Sequence, residues 1–295
     1  MTTYSIKDIE NLTGIKAHTI RIWEQRYNIV SPQRTDTNIR YYDTHALKTM
    51  LNVALLNNMG YKISNIAKMS SEEITAKVRE SIYKSSDYQI QINALSVAMI
   101  DLDEIQFDKI ISTSVLQIGF EKTMIQIVYP FLIRVGLLWA TSTINPAQEH
   151  FISNLIRQKI IVAIDGQSIA PKNPKAKSYM LYLPAEEMHE LSLLFASYII
   201  KSRDARVFYL GQSTPLQDVQ ETYNIHKPDF LLSVFTTYPS MENVQSYLNT
   251  VSERFPNSKF IVGGNQVVAQ DLHIPENVML LNNLKDLITF VENNA

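Results

Sequence analysis

Two stretches decide the fold of the N-terminal part: Ser5-Ile-Lys-Asp-Ile-Glu-Asn-Leu-Thr-Gly14 and Ala17-His-Thr-Ile-Arg-Ile-Trp-Glu-Gln-Arg-Tyr27. In the first, Ser5 followed three positions later by Asp8 is a helix start, and Gly14 is a stop. In the second, Ile20, Trp23 and Tyr27 recur at helical spacing on one face, with Arg21 and Arg26 off it. Two short helices joined by a glycine-containing turn predict a helix-turn-helix, whose second helix enters the major groove of DNA. The segment from Val30 to Tyr42 follows, with Pro32 and Asn38 as turn formers and Arg34 and Arg40 flanking the bend. It reads as a wing that lays both arginines on phosphates.

Charge supports this reading of the first seventy residues. They hold nine Lys/Arg against five Asp/Glu, a balance of +4, while the remainder, 18 against 24, is −6. A basic head on an acidic body suits a protein that presents one end to nucleic acid. The 295 residues are enough for two or three domains, and 45% hydrophobic with 19% charged residues marks a globular chain. The absence of cysteine excludes disulfides, thiolate metal sites and a cysteine nucleophile. The N-terminus lacks a basic stretch leading into an apolar run, and no apolar stretch is expected to approach the ~20 residues of a membrane helix. The expectation is a cytoplasmic protein with no membrane partner.

Outward from the head, Ser71 to Ser86 reads as a helix too polar and short for a coiled-coil seam. Tyr88–Met99, Asp103–Ser114, Lys122–Leu138 and Ala147–Ile164 carry helical apolar spacing with short links, which predicts a four-helix bundle. Trp139 closes the third of these helices, and Glu149 and His150 open the fourth. Alone, Trp139 fits the end of a bundle core and Glu149 a favourable helix N-terminus. The alternative is a pocket mouth that gathers all three.

After a Pro- and Lys-bearing linker at 170–177, strand and helix patterns alternate. Strands are expected at Ser178–Leu183, Arg206–Leu210, Phe230–Phe235, Lys259–Val262 and Val278–Leu281. Helices are expected near 189–202, 215–224, 240–254, 265–270 and 284–293. This predicts a flavodoxin-like, doubly wound parallel sheet that binds ligand at the C-terminal ends of its strands. No Gly-x-Gly-x-x-Gly occurs, which argues against a dinucleotide site. The fold class is therefore multidomain α and α/β, with boundaries at 1–75, 76–170 and 178–295. His18, His45, His226 and His273 stand alone and read as surface residues.

The string Thr19-Ile-Arg-Ile-Trp-Glu-Gln-Arg-Tyr27, then Pro32-x-Arg34, then Arg40-Tyr-Tyr42, resembles the winged-helix head of the MerR family, across residues 3–70. The resemblance implies a dimer or higher homo-oligomer on double-stranded promoter DNA. It implies DNA-facing roles for Lys16, Thr19, Arg21, Arg26, Tyr27, Arg34, Arg40 and Tyr42. Trp23 reads as core.

The signatures Trp139–x9–Glu149–His150 and Glu187-Met-His189 resemble the light-responsive, cobalamin-dependent branch of that family. Glu187-x-His189 stands where cobalamin-binding domains carry Asp-x-His-x-x-Gly. The resemblance implies adenosylcobalamin or methylcobalamin as cofactor. It makes His189 the lower axial ligand of cobalt, with Glu187 orienting its ring. Trp139, Glu149 and His150 would line the upper face, and Ser192, Ser233, Gly263 and Gly264 would meet the nucleotide tail. Two departures stand out. Ala140 replaces the histidine that ligates cobalt after illumination, and Ser192 replaces the motif's glycine.

The function expected is a non-enzymatic transcriptional regulator that senses a cobalamin, without light-driven histidine capture at position 140. Two alternatives share these residues. One is a MerR-type regulator with a degenerate sensor that binds no cobalamin; the other is a corrinoid carrier, which would have no use for Arg21, Arg34 and Arg40. No nucleophile–base–acid arrangement supports catalysis.

Overall fold

The computed structural model describes residues 3–84, 88–141, 143–167, 173, 175–268 and 270–294. The chain divides into two compact units, Met1–Leu155 and Ile156–Ala295.

The first unit begins with β1 (Tyr4–Ser5), α1 (Ile6–Thr13) and α2 (Ala17–Tyr27). Ser5 and Asp8 form the expected reciprocal cap, and Gly14 ends α1 at φ 74°, a left-handed conformation that costs glycine little. The wing is β2 (Gln33–Arg34) and β3 (Arg40–Tyr42), an antiparallel pair extended by β1 beside β3. Then come α3 (Thr44–Asn58), α4 (Ile63–Ile66) and α5 (Ser71–Lys84); residues 85 and 86 of the expected helix lie outside the described residues. Ile9, Leu12, Ile20, Leu47 and Met50 are fully buried, and Trp23 joins them as expected. The sequence reading named neither β1 nor α3. Two residues are too few to show a strand period; α3 buries Leu47, Met50, Leu51 and Ala54 and keeps His45, Lys48, Thr49 and Asn52 on its less buried face.

The helices α6 (Tyr88–Asp101), α7 (Glu104–Ile118), α8 (Phe120–Thr123), α9 (Tyr129–Ala140) and α10 (Pro146–Asp165) match the four expected ones. A π-helical turn at Met124–Val128 joins α8 to α9. Within this unit α3 packs on α5 and α6, Lys48 pairs with Asp101, and Thr143 donates to Asp8 at 2.9 Å. One expectation is corrected. Phe120–Ala140 is a 21-residue helical run holding an 18-residue window of mean hydropathy 1.5, long and apolar enough to cross a membrane by length and composition alone. Gly119-Phe-Glu at one end and Ser142–Pro146 beyond the other bound the helix expected from the sequence. Ile127, Val128, Phe131 and Val135 of the run are buried, and Arg134 bonds Asn93 of α6.

The second unit holds the expected alternation: β4 (Ser178–Tyr182), α11 (Leu191–Ser202), β5 (Arg206–Gly211), α12 (Leu216–His226), β6 (Phe230–Val234), α13 (Met241–Arg254), β7 (Lys259–Gly263), α14 (Asn265–Val268), β8 (Val278–Leu281) and α15 (Leu284–Asn293). Position 269 of the helix expected at 265–270, and positions 170–172 and 174 of the linker expected at 170–177, lie outside the described residues. The sheet order is β5-β4-β6-β7-β8, all parallel. Tyr182, Leu231, Phe260 and Val262 pack against Val244, Leu248 and Val251 of α13 as one core. The order reverses between β4 and β6, so the loops leaving these strands diverge and open a crevice at their C-terminal ends.

Candidate functional site

The crevice is built around one carboxylate. Glu187, on the loop after β4, is fully buried. Its Oε1 accepts from the His189 backbone amide at 2.9 Å and lies 2.7 Å from His189 Nδ1. Its Oε2 accepts from the amides of Thr236, Thr237 and Tyr238 at 3.0, 2.6 and 2.9 Å, and from Thr237 Oγ1 at 3.1 Å. The loops after β4 and β6 are thereby joined across the switch point.

Burial alone would push the Glu187 carboxyl up. The bonds from the His189 ring and from the Thr237, Tyr238 and His189 amides outweigh that and hold it well below the usual carboxylate range. An ionised acceptor at Nδ1 fixes that nitrogen as the donor and puts the ring's ligating electron pair on Nε2. The His189 side chain is 58% exposed, while its partner is sealed. A buried, charged holder behind an outward imidazole is the arrangement that ligating histidines require.

The other residues of the tail region sit around the same strand ends. Ser233 is fully buried on β6, and its Oγ finds no hydrogen-bond partner among the described residues. An unpaired buried hydroxyl costs ~1–3 kcal/mol, which favours a ligand that brings an acceptor or donor. Ser192 is the second residue of α11 and half-buried. Gly263 ends β7. Gly264 has φ 108°, and a Cβ there would lie 2.3 Å from the Phe235 carbonyl oxygen. The close approach that demands glycine at 264 is thus to the chain's own backbone after β6.

In the first unit, Trp139 lies at the end of α9 and is 58% exposed, so it does not close the bundle core. Glu149, in the first turn of α10, sits 2.7 Å from His150 Nδ1 and accepts from Ser153 Oγ. His150 is exposed and Ala140 offers no ligating atom.

The expected DNA-facing residues divide. Arg21, Arg26 and Arg34 are exposed, with Arg34 bonded to the Asn38 side chain at the wing's bend. Lys16 is exposed and pairs with Glu10 at 3.0 Å, while Thr19 and Tyr27 are half-buried. Tyr42 is 1% exposed, so the structure places it in the core of the head. Arg40 lies against the buried Glu24, which the sequence reading left without a role. A carboxylate in a helix otherwise rich in basic residues was the available signal.

Residues 4–73 match the MerR HTH family regulatory protein, and residues 91–163 match the B12 binding domain. The chain is 24% identical over 269 residues to the HTH-type transcriptional repressor CarH of Myxococcus xanthus, covering 89% of each. It is 27% identical over 270 residues to CarA, an HTH-type transcriptional repressor of the same organism, covering 89% of this chain and 86% of that one. Among solved structures, the Methanosarcina barkeri monomethylamine corrinoid protein superposes with a TM-score of 0.51 at 12% identity, over 74% of this chain and 96% of that one. That likeness concerns the fold alone. The chain carries a MerR-type helix-turn-helix head followed by a B12-binding domain, and it is homologous to the CarH and CarA repressors over most of its length.

Proposed function

We propose that this chain is a DNA-binding transcriptional regulator of the repressor class, not an enzyme, whose affinity for its operator is set by a bound cobalamin. A regulator of this kind would act in the cytoplasm. The observation that carries the sensor half is the dyad of buried, ionised Glu187 and outward His189 at the switch point of a parallel sheet. Cobalamin, when bound, would supply a cobalt centre able to take a nitrogen ligand from the protein. His189 Nε2 would give that nitrogen, and Glu187 would keep the ring in the correct tautomer. Ser233 would hydrogen-bond the nucleotide tail, with Ser192, Gly263 and Gly264 around it. Trp139, Glu149 and His150 lie in the segment that matches the B12 binding domain, which supports a ligand-facing role for them. Alanine at position 140 removes histidine capture there as a route for a light response.

Electrophoretic shift of a cognate promoter fragment, with the protein in the dark with and without adenosylcobalamin, tests the coupling. Allosteric coupling of ~1–3 kcal/mol predicts a change in operator affinity of roughly 5- to 150-fold. Identical affinities with the corrinoid demonstrably bound would separate the two halves and remove the sensor reading.

A further inference from the structure

Glu24 is the only acidic residue of α2, and its side chain is 6% exposed. A carboxylate buried in a helix that presents Arg21 and Arg26 to solvent must be paired to be tolerated. Both partners come from the wing. Tyr42 donates its hydroxyl to Glu24 Oε1, and the buried Arg40 Nε lies 3.3 Å from Oε2, an ion pair without hydrogen-bond geometry. Residues 40 and 42 sit on the same face of β3, because strand side chains alternate, and one carboxylate engages both. Arg40 retains 23% side-chain exposure, whereas Arg34, across the β2–β3 pair, is exposed. Burial, reinforced by Glu24, pushes the Tyr42 hydroxyl up, so it remains a donor at any physiological pH.

We infer that Glu24 is the positioning residue of the DNA-binding head: it clasps Arg40 and Tyr42, fixes the wing against the recognition helix, and neutralises Arg40. Arg40 is then part of the clasp and not a phosphate contact, which reverses the role expected from the sequence. Arg34 and Arg21 carry the wing and helix charge to the backbone. The inference rests on the head binding DNA, but half of its test does not need DNA.

Each phosphate contact adds ~0.9 to the slope of log affinity against log salt. In the full chain, Arg34→Gln should flatten that slope by about 0.9 and leave thermal unfolding unchanged. Arg40→Gln should leave the slope unchanged and lower the unfolding temperature, since it strands a buried carboxylate. Adding Glu24→Gln to that variant should recover part of the loss. Glu24→Gln alone keeps an acceptor for Tyr42 and releases a cation, so its slope should steepen by up to ~0.9 while discrimination against non-cognate DNA falls. A purely structural Glu24 would not move the slope. The inference is overturned if Arg40→Gln flattens the slope like Arg34→Gln without a thermal change, or if Glu24→Gln alters neither slope nor discrimination. Should Arg40→Gln fail to fold, the Glu24→Gln slope decides alone. If no variant or wild type binds DNA, the non-additive thermal coupling of positions 24 and 40 still reports on the clasp, and the DNA-binding reading fails separately.

Discussion

His189→Ala should weaken adenosylcobalamin binding by roughly 100-fold or more, and any corrinoid still bound should show a visible spectrum lacking a protein nitrogen below cobalt. The magnitude follows from scale. Losing only an outer partner of a ligating histidine costs ~10–100-fold, so losing the ligand should exceed that. The side chain is 58% exposed, so its removal opens no cavity, but the buried Glu187 carboxylate loses one of its donors, and stability should fall by about 1–3 kcal/mol. Isothermal titration and an absorption spectrum check the first part, and thermal unfolding the second. A variant that binds with wild-type affinity and spectrum would leave His189 as an ordinary surface residue.

Glu187→Ala should do more damage to the protein itself. The carboxylate accepts from four backbone amides, the His189 ring and the Thr237 hydroxyl. Deleting it takes the shared charged acceptor from donors on partly exposed loops and empties a buried position, at a cost on the order of 3 kcal/mol. For a unit of this size that is a fall of roughly 10 °C in its unfolding temperature. Cobalamin affinity should fall too, because His189 loses the group that sets its tautomer. Glu187→Gln separates charge from shape. The wild-type carboxyl has its folded pKa below the ordinary 4.5, so its stabilisation is complete above that value and drains away as pH drops beneath it. The Gln variant cannot titrate and should show a flatter acid-unfolding curve. Acid profiles of the two proteins that run parallel would refute the ionised-hub account.

The architecture was legible because its signals are local. The capping box at Ser5 and Asp8, the glycine stop at 14 and the run of five strand–helix alternations each rest on short-range patterns. The Glu187–His189 dyad was legible for the same reason, two residues apart on one loop. What stayed hidden needs the third dimension. Nothing in the string says that the amides of Thr236, Thr237 and Tyr238, some fifty residues on, close around Glu187. Nor does the string say that Gly264 packs against the chain's own Phe235 backbone, where a Cβ would lie 2.3 Å from the carbonyl oxygen. Arg40 and Tyr42 were expected to face DNA because they match MerR-family positions, yet Tyr42 is buried against Glu24 and Arg40 lies beside the same carboxylate. Trp139 shows the reverse: size and apolarity suggest core, and the structure leaves it exposed.

The most direct measurement is corrinoid uptake by the purified full chain in the dark, followed by its absorption spectrum after removal of free ligand. The account predicts one adenosylcobalamin or methylcobalamin per chain at tens of micromolar, with a spectrum that changes in His189→Ala. No uptake of either corrinoid at that concentration, by protein that still binds its promoter DNA, would contradict it and leave a MerR-type regulator whose sensor domain takes no cobalamin.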